Sequence, residues 1–249
     1  MTQARTVLVL GGTSGIGRST AAAFARRGYE VVVTGREASE ATRAAQDLAI
    51  RFGVVAHGVA FDATSAGGHP AFFADVVRAT GGRLHGVVAA FGLLGDQVAA
   101  REDPNAAARI IATNYTGVVS ILSIAASWLE ERRHGFIVGI GSVAGDRGRQ
   151  SNYLYGSAKA GAAVFLAGLR NRLHRAGVNV VTVKPGFVDT EMTFGLPGLF
   201  LVADPEMVGE RIARAVERRL DVVYVPWFWR WIMLIIRLIP ERLFKRLSL

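Results

Sequence analysis

The sequence has no cysteine and only 7 prolines among its 249 residues. The lack of cysteine excludes a disulfide scaffold, a cysteine-ligated zinc site and a thiol nucleophile. Charged residues make up only 20% of the chain and hydrophobic residues 51%, which excludes an intrinsically disordered protein. Lysine is also scarce, with three lysines against 26 arginines. The length is typical of a single α/β domain.

Basic residues outnumber acidic residues, so the formal net charge is +9. Most arginines lie singly on helical stretches beside Glu or Asp, which is typical of solvated helix faces, and we expect no nucleic-acid partner. The five histidines are not paired at metal-ligand spacing, so no metal site is predicted. Residues 1–5 lead into an apolar strand without the pattern of a secretory signal, and we expect a cytoplasmic protein.

Short apolar, β-branched runs alternate with helical patterns along the chain, and continuous apolar runs are typical of strands buried on both faces. The seven predicted strands are Thr6–Leu10, Glu30–Thr34, Val54–Phe61, Leu84–Ala90, Phe136–Ile140, Asn179–Val183 and Asp221–Val225. The predicted helices are Ile16–Gly28, Glu37–Phe52, Pro70–Thr80, Asp103–Arg132, Tyr153–Ala176 and Pro205–Leu220. This order predicts one α/β domain over residues 1–225, a doubly wound parallel (Rossmann) sheet with helices on both faces.

A glycine-rich turn links the first predicted strand to the first helix. Its glycines are Gly11, Gly15 and Gly17, and Thr13, Ser14 and Ile16 lie between them. Glycine allows the backbone to approach a pyrophosphate closely, and the following helix directs its N–H groups toward the phosphates. Because the motif lies between a strand and a helix, it predicts dinucleotide binding.

The ends of the next two strands predict which dinucleotide binds. The second strand ends in Gly35-Arg36, where an acidic residue would favour NAD and an arginine suits a 2′-phosphate. We therefore predict NADP(H), with NAD(H) as the alternative if Arg36 is only a surface residue. Asp62 follows the third strand, where it either meets the adenine amine or caps the next helix.

Tyr155 and Lys159 are four residues apart on a predicted helix, so their side chains share one face. A free phenol has a pKa of about 10, and a fixed cation nearby lowers it, which makes Tyr155 the predicted general acid/base. Tyr153 has no cation at the same spacing and is the weaker candidate. Ser142 lies just after the strand Phe136–Ile140, where its hydroxyl can hydrogen-bond a substrate carbonyl oxygen.

Together these motifs resemble the short-chain dehydrogenase/reductase family over essentially the whole chain. The resemblance implies that Tyr155 donates the proton, that Lys159 lowers its pKa and holds the nicotinamide ribose, and that Ser142 orients the carbonyl. It also implies that Asn114 supports a water relay. The family's Pro-Gly-x-Val-x-Thr segment, which holds the nicotinamide end of the cofactor, is matched by Pro185, Gly186, Val188 and Thr190.

Two positions depart from the family pattern. Leu10 stands where the family has threonine, and Ala89-Ala90-Phe91-Gly92 stands where it has Asn-Asn-Ala-Gly. Both positions concern hydrogen bonds that support the cofactor site, so they affect local bonding rather than the expected reaction.

Residues 226–249 form an apolar, basic C-terminal tail. The 13 residues between Pro226 and Pro240 would form a helix of about 20 Å at 1.5 Å per residue, too short to span a hydrocarbon core of about 30 Å. Tryptophan, phenylalanine and flanking arginine are typical of an interfacial segment on an anionic membrane. The alternatives are a helix that covers the substrate cleft and one that forms a homo-oligomer interface.

The tail, residues 91–96 and residues 114–116 resemble one subgroup of the family, the reductases of decaprenylphosphoryl-2-keto-ribose in actinobacterial cell-wall arabinan synthesis. The resemblance implies a polyprenyl-phosphate-linked keto-pentose as substrate, a flavin-dependent oxidase as partner in an epimerase, and peripheral contact with the inner face of the plasma membrane. Two hypotheses stay open beside it: a reductase of another hydrophobic ketone or acyl substrate, and a catalytically idle, membrane-associated cofactor-binding subunit. The complete set of Asn114, Ser142, Tyr155 and Lys159 argues against the idle subunit.

Overall fold

The computed structural model describes residues 5–196 and 198–247. Its centre is a parallel sheet of seven strands in the order β3-β2-β1-β4-β5-β6-β7, which confirms the predicted fold class. The strands are β1 Thr6–Leu10, β2 Glu30–Gly35, β3 Ala56–Ala60, β4 Leu84–Ala89, β5 Phe136–Ile140, β6 Asn179–Pro185 and β7 Val222–Val225.

Helices cover both faces of this sheet. They are α1 Gly15–Ala25, α2 Ala38–Phe52, α3 His69–Ala79, α4 Ala99–Glu102, α5 Pro104–Ile111, α6 Gly117–Arg132, α7 Tyr153–Leu173, α8 Pro205–Glu217, α9 Trp229–Leu238 and α10 Glu241–Phe244. Side chains alternate along β1, so Val7 and Val9 join one hydrophobic cluster while Leu8 and Leu10 join the cluster on the opposite face. The continuous apolar run of β1 is therefore buried on both sides, as a doubly wound sheet requires.

The predicted helix Asp103–Arg132 differs from the observed structure. α5 and α6 are joined by a π-helical segment, Ala112–Thr116, so the chain continues in one direction with one widened turn. Over Pro104–Arg132 this segment is long and apolar enough to cross a membrane by composition. In this fold it is a core helix, because Ile121 and Leu129 are fully buried.

The order of the strands creates a crevice at the carboxyl edge of the sheet. β1 pairs with β2 on one side and with β4 on the other, so the chain direction across the sheet reverses between β1 and β4. The loops that follow these two strands separate here, and ligands of open α/β sheets bind at this point.

The C-terminal tail folds back onto the domain. α9 begins three residues after Pro226, and the side chains of Trp229, Met233 and Phe244 are buried. Trp229 and Met233 pack with Val143, which follows β5. The tail is therefore part of the wall at the carboxyl edge of the sheet, where α9 packs against the loops that follow β5 and β6.

Candidate active site

The glycine-rich turn is packed so tightly that side chains would not fit. A Cβ atom on Gly11 would lie 2.7 Å from the backbone nitrogen of Phe91, and one on Gly17 would lie 2.1 Å from the Gly11 carbonyl oxygen. Gly11 also has a φ of +75°, a left-handed conformation that favours glycine. These contacts bring the loops after β1 and β4 together at the crevice.

Helix α1 opens directly from this turn. Ser14 is its N-cap: its hydroxyl oxygen accepts a hydrogen bond from the Gly17 N–H at 3.3 Å and donates to the Gly11 carbonyl at 2.7 Å. A Cβ atom on Gly15 would lie 2.7 Å from Thr190, on the loop after β6. A helix N-terminus that is lined by small residues fits a pyrophosphate. The residues suited to hold the phosphates of a dinucleotide are therefore Gly11, Thr13, Ser14, Gly15, Ile16 and Gly17.

Arg36 and Asp62 lie at the outer end of this site. Arg36 follows β2, and its side chain is exposed. Gly35 packs against Thr13, because a Cβ atom on Gly35 would lie only 2.7 Å from the Thr13 side chain. Asp62 Oδ1 accepts hydrogen bonds from the backbone N–H and hydroxyl of Thr64, at 2.8 and 2.7 Å. These bonds, and to a smaller extent the charges of His69 and Arg36, hold the pKa of Asp62 below its usual range. Asp62 thus closes a turn with one oxygen, and the role of the carboxylate toward adenine stays a prediction.

The four predicted catalytic residues come from three parts of the chain and meet at one place. Ser142 follows β5 and begins a short 3₁₀ turn, where its oxygen accepts a hydrogen bond from the Ala144 N–H at 3.1 Å. Tyr155 and Lys159 lie on the first turns of α7, with the Lys159 Nζ 5.7 Å from the centre of the Tyr155 ring. Lys159 is buried, and its Nζ donates a hydrogen bond to the Ile140 carbonyl at 2.9 Å.

Asn114 completes the group from the π-helical segment. Its side-chain amide donates to the carbonyls of Leu93 and Ile110, at 2.6 and 2.9 Å, and its Oδ1 accepts from the Leu93 N–H at 3.2 Å. A Cβ atom on Gly92 would lie 3.0 Å from Asn114 Oδ1 and 3.5 Å from Lys159 Nζ. Asn114 therefore anchors the loop after β4 beside the lysine, and in this structure its polar atoms bind backbone groups of Leu93 in that loop and of Ile110 on α5.

The electrostatics of Tyr155 and Lys159 correct one expectation. We predicted that the cation would lower the pKa of the phenol, but burial raises the pKa of Tyr155 to about 12, while the Ser142 hydroxyl acts in the opposite direction. Burial also lowers the pKa of Lys159 to about 8. Both shifts have the same cause, because a charged side chain loses its hydration when it is buried. The phenol is therefore a protonated group at neutral pH.

The loop after β6 forms the remaining wall of the site. Gly186 donates its N–H to the Val225 carbonyl at 3.0 Å, and a Cβ atom on Gly186 would lie 1.9 Å from the Trp229 indole nitrogen. Val188 is buried, and the Thr190 hydroxyl donates to the Val188 carbonyl at 3.4 Å. The predicted segment of Pro185, Gly186, Val188 and Thr190 thus runs between the glycine-rich turn and the C-terminal helix α9.

Several residues of the site were not predicted. Asp146 is buried close to Ser142, where it pairs with the Lys184 ammonium and accepts a hydrogen bond from the Tyr224 hydroxyl at 2.7 Å. The rarity of lysine, which drew attention to Lys159, applies equally to Lys184. The position of Trp229 against Gly186 had no signal in the sequence, because it depends on how the tail folds back.

Comparisons with known proteins agree with this geometry. The chain matches the short chain dehydrogenase family over residues 5–196. It is 37% identical over 246 residues to an uncharacterized oxidoreductase of Mycobacterium tuberculosis, covering 99% of this chain and 98% of that protein.

Solved structures give the same result. A short-chain dehydrogenase from Sphingobium yanoikuyae in complex with NADPH superposes with a TM-score of 0.83 at 25% identity, over 92% of this chain and 91% of that one. A bulky-bulky ketone specific alcohol dehydrogenase from Comamonas testosteroni superposes with a TM-score of 0.79 at 25% identity, over 94% of this chain and 91% of that one. The chain therefore belongs to the short-chain dehydrogenase family and is an NAD(P)-dependent oxidoreductase.

Proposed function

We propose that this protein is an NADP(H)-dependent reductase of a hydrophobic ketone that it meets at an anionic membrane surface. One observation carries the proposal: large apolar side chains stay exposed on two neighbouring segments beside the active site. The first segment is the loop after β6, with Met192, Phe194, Leu196, Phe200, Leu201 and Val202 exposed. The second is the tail, with Trp227, Trp231, Leu234, Ile235, Leu238 and Leu243 exposed. We call these two segments together the apolar rim.

The apolar rim is continuous with the site. The ring of Phe200 lies 5.6 Å from that of Trp229 and 5.7 Å from that of Phe187. Phe187 follows Gly186 directly in the loop that we expect to hold the nicotinamide end of the cofactor. An exposed apolar patch on a protein surface marks a binding site for an apolar partner. The position of this patch beside the site supports a hydrophobic substrate.

The charge of the tail supports a membrane as the source of that substrate. The tail carries five basic residues and one acidic residue, and the basic side chains of Arg230, Arg237, Arg242, Lys245 and Arg246 are exposed. A basic side chain near an anionic leaflet contributes about 1 kcal/mol to adsorption. Aromatic residues with nearby arginines are typical of segments that lie in the membrane interface.

The proposed chemistry gives one role to each of Ser142, Tyr155 and Lys159. When bound, the reduced nicotinamide supplies a hydride. The Ser142 hydroxyl donates a hydrogen bond to the substrate carbonyl oxygen, and the Tyr155 phenol gives its proton to that oxygen as negative charge develops. The raised pKa of Tyr155 keeps the proton on the phenol until transfer. The Lys159 ammonium, fixed on the Ile140 carbonyl, stabilises the phenolate that results.

The finer substrate assignment is a polyprenyl-phosphate-linked keto-pentose, reduced in partnership with a flavin-dependent oxidase at the inner face of the plasma membrane. It is supported by the resemblance of residues 91–96 and 114–116 and by the apolar, basic tail. The second candidate is another bulky hydrophobic ketone. It is favoured by the structural likeness to the alcohol dehydrogenase from Comamonas testosteroni, whose name specifies bulky ketones.

A substrate panel tests the proposal. We expect NADPH consumption with a polyprenyl-phosphate-linked 2-keto-pentose in phosphatidylglycerol vesicles, and a much lower kcat/KM with a short water-soluble ketone. Activity confined to a bulky ketone in detergent-free buffer would favour the second candidate. Equal kcat/KM for the short ketone and the lipid-linked ketone would contradict a hydrophobic substrate, and a Tyr155→Phe variant controls for other consumption of NADPH.

A further inference from the structure

An arginine next to the catalytic serine turn holds the end of helix α9. The Arg147 Nη1 donates to the carbonyls of Ile236 and Ile239, both at 2.6 Å, and to that of Arg237 at 3.2 Å. Its Nη2 donates to Glu241 at 2.9 Å. The guanidinium also lies 3.7 Å from the centre of the Phe244 ring. Arg147 therefore binds both helices of the tail, although its side chain belongs to the loop before α7.

These contacts have a clear physical basis. The last carbonyls of an α-helix have no partner within the helix and carry partial negative charge. A buried guanidinium that donates to several of them compensates both features, and the Arg147 side chain is only 13% exposed. A long, charged side chain keeps such a low exposure only where its donors are satisfied.

Asp146, the residue before Arg147, fixes the same loop to the sheet. The Asp146 side chain is only 2% exposed and binds Lys184 of β6 and Tyr224 of β7. Val143 packs against Trp229 and Met233 of α9. The short turn over Val143–Gly145, which begins at Ser142, is thus fixed from the sheet by Asp146 and from the tail by Arg147.

We propose that Arg147 is a positioning residue for the reduction: through it, α9 and α10 hold the turn that sets the orientation of the Ser142 hydroxyl. The inference rests on the role of Ser142 in the proposed function. It gives the tail a second role, since the face of α9 opposite the apolar rim supports the catalytic turn. Arg147 itself touches neither substrate nor reacting atoms.

Kinetics with a double variant test the proposal. Arg147→Met should lower kcat about tenfold on any bulky ketone that the parent reduces, while KM and the NADPH dissociation constant stay near their parent values. In a Ser142→Ala background, Arg147→Met should cause no further loss of kcat, because residues that act through one another are non-additive. Arg147→Lys should restore part of kcat, because an ammonium can still donate to one carbonyl.

A second measurement does not depend on finding a substrate. Hydrogen exchange of the Ala144 and Gly145 amides should be about tenfold faster in ligand-free Arg147→Met than in the parent. Arg219→Met is the matched control, because the Arg219 guanidinium donates to the Gly177 carbonyl at 2.7 Å in a turn outside this loop; it should leave both amides and kcat unchanged. Glu241→Gln, a milder change to the same contact, replaces Arg147→Met if that variant does not fold.

The outcomes separate this inference from the proposed function. If the parent reduces no ketone in the panel but exchange at Ala144 and Gly145 accelerates in the variant, the proposed substrate class is wrong and the positioning contact stands. The positioning role is overturned if hydrogen exchange at Ala144 and Gly145 is unchanged in Arg147→Met. It is also overturned if Arg147→Met causes the same loss of kcat in the parent and in the Ser142→Ala background.

Discussion

Two effects shift the pKa of the Tyr155 phenol in opposite directions. Burial raises its pKa to about 12, and the Ser142 hydroxyl opposes that rise. The i,i+4 spacing with Lys159 correctly indicated that the two residues share a helix face. The direction of the pKa shift was predicted wrongly, because spacing does not report how much water the fold removes.

Tyr155→Phe should lower kcat for ketone reduction by about 10²- to 10⁴-fold, because it removes the proton donor. NADPH binding, measured by fluorescence titration, should persist, since the change removes only one oxygen. Tyr153→Phe is the control: Tyr153 is 42% exposed and should tolerate the change. Similar losses at both positions would exclude Tyr155 as the specific acid.

Arg36→Ala should weaken NADPH binding about ten- to a hundredfold, because a hydrogen bond to a charged group contributes about 1.5–3 kcal/mol. NADH binding, measured in the same titration, should hardly change. Arg43→Ala, an exposed arginine on α2, serves as control. Equal weakening for both cofactors would show that Arg36 does not contact the 2′-phosphate.

Lys159 should make stability depend on pH. Its pKa is about 8 in the folded protein and about 10.4 in an unfolded chain. Between these values the unfolded state binds more protons, so the free energy of unfolding should rise with pH from about 8 to about 10. Urea denaturation at several pH values across this window should show that the free energy of unfolding rises less steeply with pH in Lys159→Met than in the parent. Lys245→Met, at an exposed position, is the control and should keep the pH dependence of the parent. If Lys159→Met also keeps the pH dependence of the parent, the lowered pKa of Lys159 is contradicted.

Among the structural elements, the contact between the β6 loop and α9 is the tightest feature of the site. Gly186→Ala would place a methyl group 1.9 Å from the Trp229 indole nitrogen, so α9 must shift. Overpacking of this kind costs about 1–3 kcal/mol of unfolding free energy, measurable by urea denaturation. Gly168→Ala is the control, because nothing lies within 4 Å of its Cβ position on α7. A neutral Gly186→Ala would mean that the tail is not held against this loop.

The central helix shows what an element-level pattern leaves open. Its apolar spacing predicted a single helix over Asp103–Arg132, and the chain does run in one direction from α5 to α6. At the π-helical turn, Asn114 binds one partner that is distant in sequence, Leu93, and one on its own helix, Ile110. Sequence spacing alone carries no signal for the bonds between Asn114 and Leu93 in the loop after β4.

For the whole molecule, adsorption to vesicles tests the apolar rim. The parent should sediment with phosphatidylglycerol vesicles, and high salt should weaken this by screening the basic tail. Replacing Trp231, Ile235 and Leu238 with serine should release the protein, because these exposed residues lie on one face of α9. The changes leave the buried Trp229 and Met233 in place, whereas truncation would also remove the wall of the site.

The matched control for this test is Ile50→Ser with Val164→Ser, which removes exposed apolar side chains from α2 and α7. It should leave vesicle binding unchanged. A parent that stays in the supernatant, or a triple variant that sediments as well as the parent, would exclude membrane adsorption through α9.

The sequence by itself determined the features that depend on local patterns. These are the alternation of strands and helices, the glycine-rich turn between β1 and α1, and the pairing of Tyr155 with Lys159 on one helix face. Tertiary structure decided everything that depends on contacts between distant segments. It partly buries Tyr155 and raises its pKa, places Asn114 against Leu93, and folds the tail so that Trp229 contacts Gly186. An apolar helix with two arginines is compatible with lipid, protein core or an interface, and only its packing shows which face is buried and which is exposed.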